Sequence, residues 1–391
     1  MKSEKFETRA VRQQAAQSDS NEHSVPIYAT SSYTFDSAEH GRALFQDEQE
    51  GFIYSRYSNP NNDEFITKLC QMEGLPYGIA TASGMGAVFA SFAAFLNQGD
   101  HLVACRSIFG SSHQVITKIL PRWGITHTYV DGNNVTDWEK AIQPNTKMLF
   151  FESPSNPALD LFDLEALCGF GKSAGLIVNV DNCFATPYLQ TPAHYGADIV
   201  THSATKFIDG QGRVLGGAVL STEALFADLK YFGRHTGPAM SPFHGWLLSK
   251  SLETLAARMD RHCANALKLA EALEGEPGVN FVKYPYLKSH PQYALAQKQM
   301  RQGGGMVTLE LEGGLERGKR FLDGLEMMTL SANLGDTRSI ATHPSSTTHS
   351  KLTEQERAAV GITPGMVRIS VGLEHIDDIV DDVLGAIRKS N

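Results

Sequence analysis

The sequence predicts an α/β fold in which helices cover a mainly parallel sheet. Between residues 62 and 249, short apolar runs alternate with helical stretches, and this alternation is typical of parallel strands joined by helical crossovers. The predicted strands are His101–Cys105, Lys147–Glu152, Ile177–Asp181 and Ile199–His202. The predicted helices include Ser111–Trp123 and Asp163–Ala174.

Length and composition agree with a globular enzyme of more than one domain. The chain has 391 residues, of which 42% are hydrophobic and 9% aromatic. Its 34 Lys+Arg against 43 Asp+Glu give a net charge of −9, which disfavours binding to nucleic acid or to an anionic membrane. The five cysteines form no C-x-x-C motif, so reduced thiols in the cytoplasm are expected rather than disulfides or a metal site.

Three regions are expected along the chain: an N-terminal arm at 1–61, a large domain at 62–249 and a small C-terminal α+β domain at 250–391. The arm begins with polar residues and lacks the apolar segment of a secretory signal. The elements expected around and beyond residue 250 are a long helical stretch at Gly245–Glu274, strands at Met306–Leu311 and Val367–Val371, and a closing amphipathic helix at Ile376–Arg388.

Lys206 stands at the end of an apolar run, beside the hydroxyls of Ser203 and Thr205. An unpaired ammonium in a buried site costs several kcal/mol, so a lysine there must be paired, deprotonated or covalently used. This placement is typical of a lysine that forms an imine with a cofactor aldehyde. A surface lysine after an edge strand is the alternative.

Asp181 ends the predicted strand Ile177–Asp181, and ligands of open α/β sheets bind at such strand ends. Pyridoxal phosphate chemistry needs a carboxylate that keeps the pyridine nitrogen protonated, so that the ring accepts electrons. Asp181 and Lys206 are therefore expected at opposite ends of one ring. The alternative is that Asp181 caps the following loop.

A phosphate site is expected where the stretch 79–87 turns into an apolar helix. This stretch contains the small residues Ser83, Gly84 and Gly86, and the free N–H groups at a helix start bind anions. Ser203 and Thr205 supply further donors. Alternatively, the turn serves a nicotinamide cofactor, although the third glycine and the acid of that motif are missing.

Five motifs give the chain its resemblance to a known family. They are YSRYSNP at 54–60, SPSNP at 153–157, VDN at 180–182, HSATK at 202–206 and VRISVG at 367–372. In this order and spacing they resemble the Cys/Met-metabolism family of pyridoxal phosphate enzymes. The resemblance runs from about Thr8 to the C-terminus, and it implies a fold-type I enzyme with a seven-stranded sheet in its large domain.

The resemblance also implies roles for individual residues. Lys206 would bond to the aldehyde of pyridoxal 5'-phosphate, Asp181 would pair with the ring nitrogen, and Asn156 would hydrogen-bond the phenolic oxygen. The phosphate ligands from the same chain would be Gly84, Met85, Ser203 and Thr205.

Other roles implied by the resemblance concern the substrate and a second subunit. Arg368 would bind the α-carboxylate of an amino-acid substrate with its bidentate fork. Tyr54 and Arg56 would reach the active site of a neighbouring subunit, in a homotetramer built as a pair of dimers. Asn333 and Tyr54 are further expected substrate contacts.

Two departures from the commoner family pattern narrow the expected activity. Phe109 stands where the lyases carry a Tyr, so stacking on the cofactor is kept while the hydroxyl is lost, and Gln211-Gly212-Arg213 replaces the usual sequence after the lysine. With the stretch Asn333–Thr337, these departures resemble the family members that act on O-succinyl-L-homoserine, and the resemblance implies replacement of its γ-substituent by sulfide. That reaction gives L-homocysteine and succinate, in methionine biosynthesis. Use of the acetyl ester, cystathionine formation from cysteine and γ-elimination from methionine remain alternatives.

The succinyl group carries a carboxylate that an acetyl ester lacks, so a cation is expected to meet it. Arg213 and Arg106 both flank predicted cofactor motifs and are candidates for this charge. For each arginine, a structural ion pair is the alternative.

Overall fold

A computed structural model describes residues 5–132, 134–347, 350, 353–359 and 361–391. Its α-helices in this part of the chain are α1 (Phe6–Arg12), α2 (Ala38–Phe45), α3 (Pro60–Glu73), α4 (Gly84–Ala93), α5 (Gly110–Gln114), α6 (Val135–Ala141), α7 (Leu164–Ser173), α8 (Thr186–Leu189), α9 (Glu223–Thr236), α10 (Pro242–Leu252), α11 (Leu255–Leu273), α12 (Tyr293–Gln299), α13 (Gly314–Gly324), α14 (Glu354–Ala359) and α15 (Ile376–Lys389). A π-helical segment, Val115–Ile119, and 3₁₀ segments at Leu120–Trp123, Pro192–Tyr195 and Pro344–Ser346 complete the helical structure described.

A seven-stranded sheet forms the centre of the larger half, with the strand order β1-β7-β6-β5-β4-β2-β3. Its strands are β1 (Tyr77–Thr81), β2 (His101–Cys105), β3 (Thr126–Val130), β4 (Thr146–Glu152), β5 (Ile177–Asp181), β6 (Ile199–Ser203) and β7 (Gly217–Ser221). The five neighbouring strands β3, β2, β4, β5 and β6 are parallel, and β7 runs antiparallel to both β6 and β1. The carboxyl ends of the five parallel strands therefore meet at one edge of the sheet.

A five-stranded sheet forms the centre of the smaller half, in the order β10-β11-β12-β9-β8. Its strands are β8 (Val279–Lys283), β9 (Met306–Leu311), β10 (Thr329–Leu330), β11 (Ile340–Thr342) and β12 (Met366–Ser370). It is antiparallel except for the β10–β11 pair. Each sheet has its own hydrophobic core, and the core of the smaller one includes Leu269, Phe321, Val367 and Ile379.

The predicted α/β fold and its mainly parallel sheet are confirmed. Strands β2, β5 and β9 have the bounds that the sequence predicts, β4 and β6 are one residue longer at one end, and β12 begins and ends one residue earlier than predicted. These runs are apolar and buried, so the hydrophobic pattern alone defines them. The limits of the arm and of the two domains remain predictions.

The single long helix predicted at 245–274 is wrong in detail, because α10 ends at Leu252 and α11 begins at Leu255. No Gly or Pro marks the break. The buried Arg258 instead reaches back to it and donates to the carbonyl oxygens of Ser251, at 3.0 Å, and Ile208, at 3.1 Å. This contact lies at the break, and a local pattern does not reveal it.

The segment 111–123, predicted as one helix, contains three types of helical structure. It passes from α5 into the π-helical segment and then into a 3₁₀ turn that contains Pro121. Proline has no N–H and clashes with the preceding turn, which disfavours a regular α-helix here. A π-helical segment is rare and often lies at a functional site.

Residues 5–59 contain α1 and α2 and contact the rest of the same chain. Arg9 donates to the carbonyl of Gln71 at 2.8 Å, and the N–H of Ala15 donates to Glu64 at 2.9 Å. Among the described residues, no helix is both long and apolar enough to cross a membrane.

Candidate active site

A cavity of about 1070 Å³ opens at the carboxyl ends of the parallel strands. Its lining brings together residues from the strand ends, the start of α4 and the smaller sheet. They include Gly84, Met85, Phe109, Glu152, Asn156, Asp181, Ser203, Lys206 and Arg368. Most of the predicted site residues therefore face one space.

Lys206 lies three residues beyond the end of β6 and lines this cavity. Its Nζ donates to Oδ1 of Asn333 at 2.8 Å. Burial lowers the pKa of Lys206, and the positive charge of Arg368 acts in the same direction, although the Cys183 thiol opposes it. The amine is thus more easily deprotonated than an exposed lysine, as a base or nucleophile requires.

Asp181 is the last residue of β5, and Glu152 lies beside it as the last residue of β4. Oδ1 of Asp181 accepts the N–H of Cys183 at 3.0 Å. Burial raises the pKa of Asp181 to about 6, which the Cys183 hydrogen bond and His202 partly offset. Burial also raises the pKa of Glu152 well above its usual range, and the neighbouring Asp181 adds to the effect. Two acids at adjacent strand ends thus form a pocket wall that favours a cationic ligand group.

The start of α4 forms a cradle for an anion. Oγ of Ser83 caps the helix by accepting the N–H of Gly86 at 3.1 Å, while the N–H groups of Gly84 and Met85 lie in the first turn, where intrahelical partners are missing. A Cβ at Gly84 would overlap Cβ and Oγ of Ser203, so only glycine allows this helix to approach β6 so closely. The arrangement suits a phosphate group.

Arg368 projects from the middle of β12 and is only 3% exposed. Its Nη1 donates to Oδ1 of Asn156 at 3.0 Å, and its Nη2 donates to the carbonyl of Asn333 at 3.4 Å. Its Nε is buried and has no hydrogen-bond partner among the described residues. Burial lowers the pKa of Arg368 to about 10, so the side chain is still charged at neutral pH. A buried fork with an unpartnered donor is suited to a carboxylate ligand.

Phe109 presents its ring at the cavity, with 37% of the residue exposed. Its backbone N–H donates to Oε1 of Glu152 at 2.7 Å, which fixes the residue at the start of α5. An exposed apolar ring at a cavity wall is available to stack on a planar ligand.

Four predicted site residues lie outside the cavity lining of this chain, namely Thr205, Asn333, Tyr54 and Arg56, although Asn333 accepts the hydrogen bond from Lys206. The hydroxyl of Thr205 contacts backbone atoms of Gly216, accepting from the N–H at 3.2 Å. Tyr54 and Arg56 are exposed, and Arg56 lies over the ring of Tyr57 and donates to the carbonyl of Arg234. Their predicted contact with a neighbouring subunit stays a prediction.

The donor set of the cavity fits pyridoxal phosphate. Lys206 offers an amine for an aldehyde, Asp181 a buried carboxylate for a pyridine nitrogen, and the α4 start a cradle for a phosphate. The pKa of Asp181 is raised, and a cationic ring nitrogen beside this carboxylate would lower it again. Among the described residues, no group of three or more His, Cys, Asp or Glu side chains could hold a metal ion.

Sequence reasoning missed two features of this site. Glu152 received no role, although it ends a buried strand with an acid, the same signal that identified Asp181. The hydrogen bond between Lys206 and Asn333 joins residues 127 positions apart, and no local pattern predicts it.

Comparison with known proteins agrees with this geometry. Residues 7–388 match the family model described as Cys/Met metabolism PLP-dependent enzyme, so the chain belongs to this family. Pyridoxal 5'-phosphate is accordingly its cofactor, and the nicotinamide alternative has no support.

Individual relatives differ in the activity that their names state. The chain is 46% identical over 381 residues to an O-succinylhomoserine sulfhydrylase of Mycobacterium tuberculosis, covering 96% of this chain and 94% of the relative. It is 42% identical over 381 residues to an L-methionine gamma-lyase of Porphyromonas gingivalis, covering 97% and 96%.

A solved structure supports the fold. A putative O-acetylhomoserine (thiol)-lyase from Campylobacter jejuni, with N'-pyridoxyl-lysine-5'-monophosphate, matches with a TM-score of 0.94 and 33% identity. The match covers 98% of this chain and 99% of that one. Both comparisons place the chain among enzymes of methionine metabolism, with several activities close in sequence.

Proposed function

We propose that this chain converts O-succinyl-L-homoserine and sulfide to L-homocysteine and succinate. The observation that carries the proposal is the meeting of Lys206, Asp181 and Arg368 in one cavity, where burial lowers the pKa of the lysine. The identity of 46% to an O-succinylhomoserine sulfhydrylase and the Phe at position 109 support the choice of activity within the family.

In this proposal, Lys206, Asp181 and Asn156 hold the aldehyde, the ring nitrogen and the phenolic oxygen of the cofactor. Gly84 and Met85 would hold its phosphate through their N–H groups, with the hydroxyl of Ser203 as a further donor. Thr205, whose hydroxyl contacts the Gly216 backbone, would be the fourth phosphate ligand if its side chain turns toward the phosphate. When bound, pyridoxal phosphate supplies an electron-accepting ring next to the substrate Cα. Phe109 covers one face of the ring.

Arg368 binds the substrate α-carboxylate and thereby orients Cα toward Lys206. Its contacts with Asn156 and Asn333 fix the guanidinium before substrate enters, which lowers the entropy cost of binding. Because Arg368 stays charged at neutral pH, its ion pair with the carboxylate persists over the working range.

Lys206 moves the protons of the reaction. As a neutral amine it takes the proton from Cα and passes it on to the bound adduct, so that it is again neutral and can take a proton from Cβ. The Cβ electron pair then forms a Cβ=Cγ bond as the Cγ–O bond breaks and succinate leaves. Hydrosulfide forms the new Cγ–S bond, and protons return to Cβ and Cα to give L-homocysteine. Phe109 has no hydroxyl to share this work, so proton transfer depends on Lys206.

The proposal includes a homotetramer in which Tyr54 and Arg56 complete a neighbouring subunit's site, at the phosphate and, for Tyr54, also near the substrate. Both residues are exposed and lie outside the cavity lining of their own chain, as this role requires. The five cysteines are free thiols, which fits a reducing cytoplasm.

Elimination from methionine is the second candidate, because a methionine gamma-lyase is 42% identical over 97% of this chain. A lyase must protonate a thiolate leaving group, for which the missing hydroxyl at position 109 is a disadvantage. The two candidates share their first proton transfer and differ in what happens at Cγ.

A product assay tests the proposal. Purified holoenzyme is offered O-succinyl- and O-acetylhomoserine, each with sulfide or with cysteine, and methionine alone. We expect homocysteine and succinate from the succinyl ester with sulfide as the fastest reaction, and no product above background with Lys206→Ala. Faster release of 2-oxobutyrate from methionine, or a preference for the acetyl ester, would contradict the proposal.

A further inference from the structure

One wall of the cavity carries positive charge that the steps above do not use. It is formed by the residue after β2, by α5 and the π-helical segment that follows it, and by β3, and it presents Arg106, His113, Lys118, His127 and Tyr129. The acids that line the cavity, Glu152 and Asp181, end β4 and β5 instead. The two walls therefore differ in charge.

Arg106 lies on a rigid aromatic base. The ring of Tyr129 stacks on His113, with centroids 5.5 Å apart, and meets His127 edge to face at 5.1 Å. The Tyr129 hydroxyl and Nδ1 of His113 are 3.0 Å apart, and the Arg106 guanidinium lies 5.6 Å from the Tyr129 centroid. A cation over an aromatic face keeps its hydrogen-bond donors for other partners.

Nothing in this wall neutralises Arg106. Within the described ranges, the side chains of Arg106 and Lys118 make no salt bridge or hydrogen bond with protein groups. Burial raises the pKa of Tyr129, so the phenol stays uncharged and supplies no anion. The backbone N–H of Arg106 donates to the carbonyl of Val130 at 3.0 Å and fixes the residue at the cavity edge.

Arg213, the other arginine considered from the sequence, is engaged elsewhere. Its Nε donates to Oδ1 of Asp209 at 3.0 Å, and its Nη2 donates to the hydroxyl of Ser251 at 2.6 Å. Asp209 is buried, and Arg213 does not line the cavity. Arg213 therefore forms a structural ion pair with Asp209.

We propose that Arg106, with Lys118 on the same wall, forms a carboxylate subsite that binds the terminal carboxylate of the succinyl group. The inference rests on the proposed function, because it assigns the acyl specificity of the same site. Arg106 supplies two parallel N–H donors to the carboxylate, and Lys118 supplies a second positive charge.

The test compares ester kinetics in Arg106→Gln, Lys118→Gln and the control Arg122→Gln. Arg122 is an exposed arginine of the adjoining 3₁₀ turn and does not line the cavity. We expect Arg106→Gln to lower kcat/KM for O-succinylhomoserine about 10- to 100-fold, since a charge-assisted bond is lost. Lys118→Gln should lower it by a smaller factor of about three to ten, as a point charge near the surface does.

The acetyl ester is the internal comparison, because it has no carboxylate for the subsite. The ratio of succinyl to acetyl kcat/KM should fall at least about tenfold in Arg106→Gln and stay constant in Arg122→Gln. Equal losses on both esters, or no loss in Arg106→Gln, would overturn the subsite.

A binding measurement separates this inference from the proposed function. Calorimetry of the holoenzyme with succinate and with acetate, without turnover, should show tighter binding of succinate, and Arg106→Gln should weaken succinate binding about tenfold or more. If the wild type fails to make homocysteine but this difference is found, the proposed function is wrong and the carboxylate subsite stands. If succinate binds the wild type and Arg106→Gln equally, the subsite is wrong whatever the reaction.

Discussion

The two halves of the active site are built in different ways. Lys206 and Asp181 belong to the edge of the seven-stranded sheet, where the register of buried parallel strands sets their position: Asp181 pairs with Glu152 on one side and with Thr201 on the other. Arg368 comes from the middle of a strand in the five-stranded sheet. In the proposed function, the cofactor half thus depends mainly on one sheet, whereas the substrate half needs both sheets to meet.

Specific contacts hold the two sheets in this relation. The hydroxyl of Thr308 on β9 donates to the carbonyl of Pro157 at 2.7 Å, and the N–H of Thr337 donates to the carbonyl of Gly210 at 2.9 Å. A Cβ at Gly335 would overlap the backbone of Phe207, so the loop before β11 lies directly against the lysine turn. From this comparison we expect that cofactor binding and substrate binding can be disrupted separately.

Lys206→Ala should have the largest effect, because in the proposed function Lys206 is both the covalent partner of the cofactor and the base. We expect kcat to fall by on the order of 10³-fold or more and the cofactor's imine absorbance to disappear. Rate and absorbance are measured on the same preparation. Lys288→Ala, at an exposed lysine without partners among the described residues, is the control and should behave like the wild type. Retained turnover in Lys206→Ala would invalidate the whole mechanism.

Asp181→Asn should have the next largest effect, again in the cofactor half. An amide carries no charge to stabilise a protonated ring nitrogen, so kcat should drop by about 10²- to 10³-fold while the imine still forms. Steady-state kinetics and the visible spectrum measure these outcomes, with the exposed Asp323→Asn as control. An unchanged kcat would show that Asp181 does not serve the ring.

Arg368→Lys tests the substrate half and should have a smaller effect. Lysine keeps the charge but loses the bidentate fork and its contact with Asn156, so kcat/KM should fall about 10- to 100-fold, mainly through KM. The cofactor spectrum before substrate addition should stay as in the wild type, since the cofactor half is intact. Arg388→Lys, on the exposed face of α15, is the control. A spectrum altered without substrate would contradict the separation of the two halves.

The smallest expected effect concerns stability after removal of the cofactor. The folded pKa of Asp181 is raised to about 6 from 3.8, so the stability that its protonated form contributes is complete below pH 4 and is lost as pH rises through 6. In the cofactor-free protein, Asp181→Asn should remove this loss and be more stable than the wild type at pH 7.

Thermal unfolding of both cofactor-free proteins from pH 4 to pH 7 checks the sign. The advantage of Asp181→Asn in Tm should grow over this interval, and cofactor should reduce it by supplying a cationic partner. Glu152 has a raised pKa for the same reason, so Glu152→Gln should show an advantage of the same sign. A Tm difference between the two proteins that does not change with pH would argue against a raised pKa of Asp181.

Sequence alone determined most of the cofactor half. The apolar runs before Asp181 and Lys206 predict buried strands, and parallel strands have their carboxyl ends at one edge of the sheet. Residues that follow such runs are therefore expected to lie close together. The resemblance to the family also predicted Arg368 in the site. The sequence of β12 by itself does not predict which cavity the Arg368 side chain enters.

The remaining features of the site depend on contacts between distant parts of the chain. Arg213 and Arg106 look alike in sequence, but Asp209 and Ser251 engage the first, while the second faces the cavity over Tyr129. The same holds for the hydrogen bond between Lys206 and Asn333, which spans 127 residues. Periodicity and turn chemistry act over a few residues, whereas the partner of a charged side chain depends on chain segments brought together by folding.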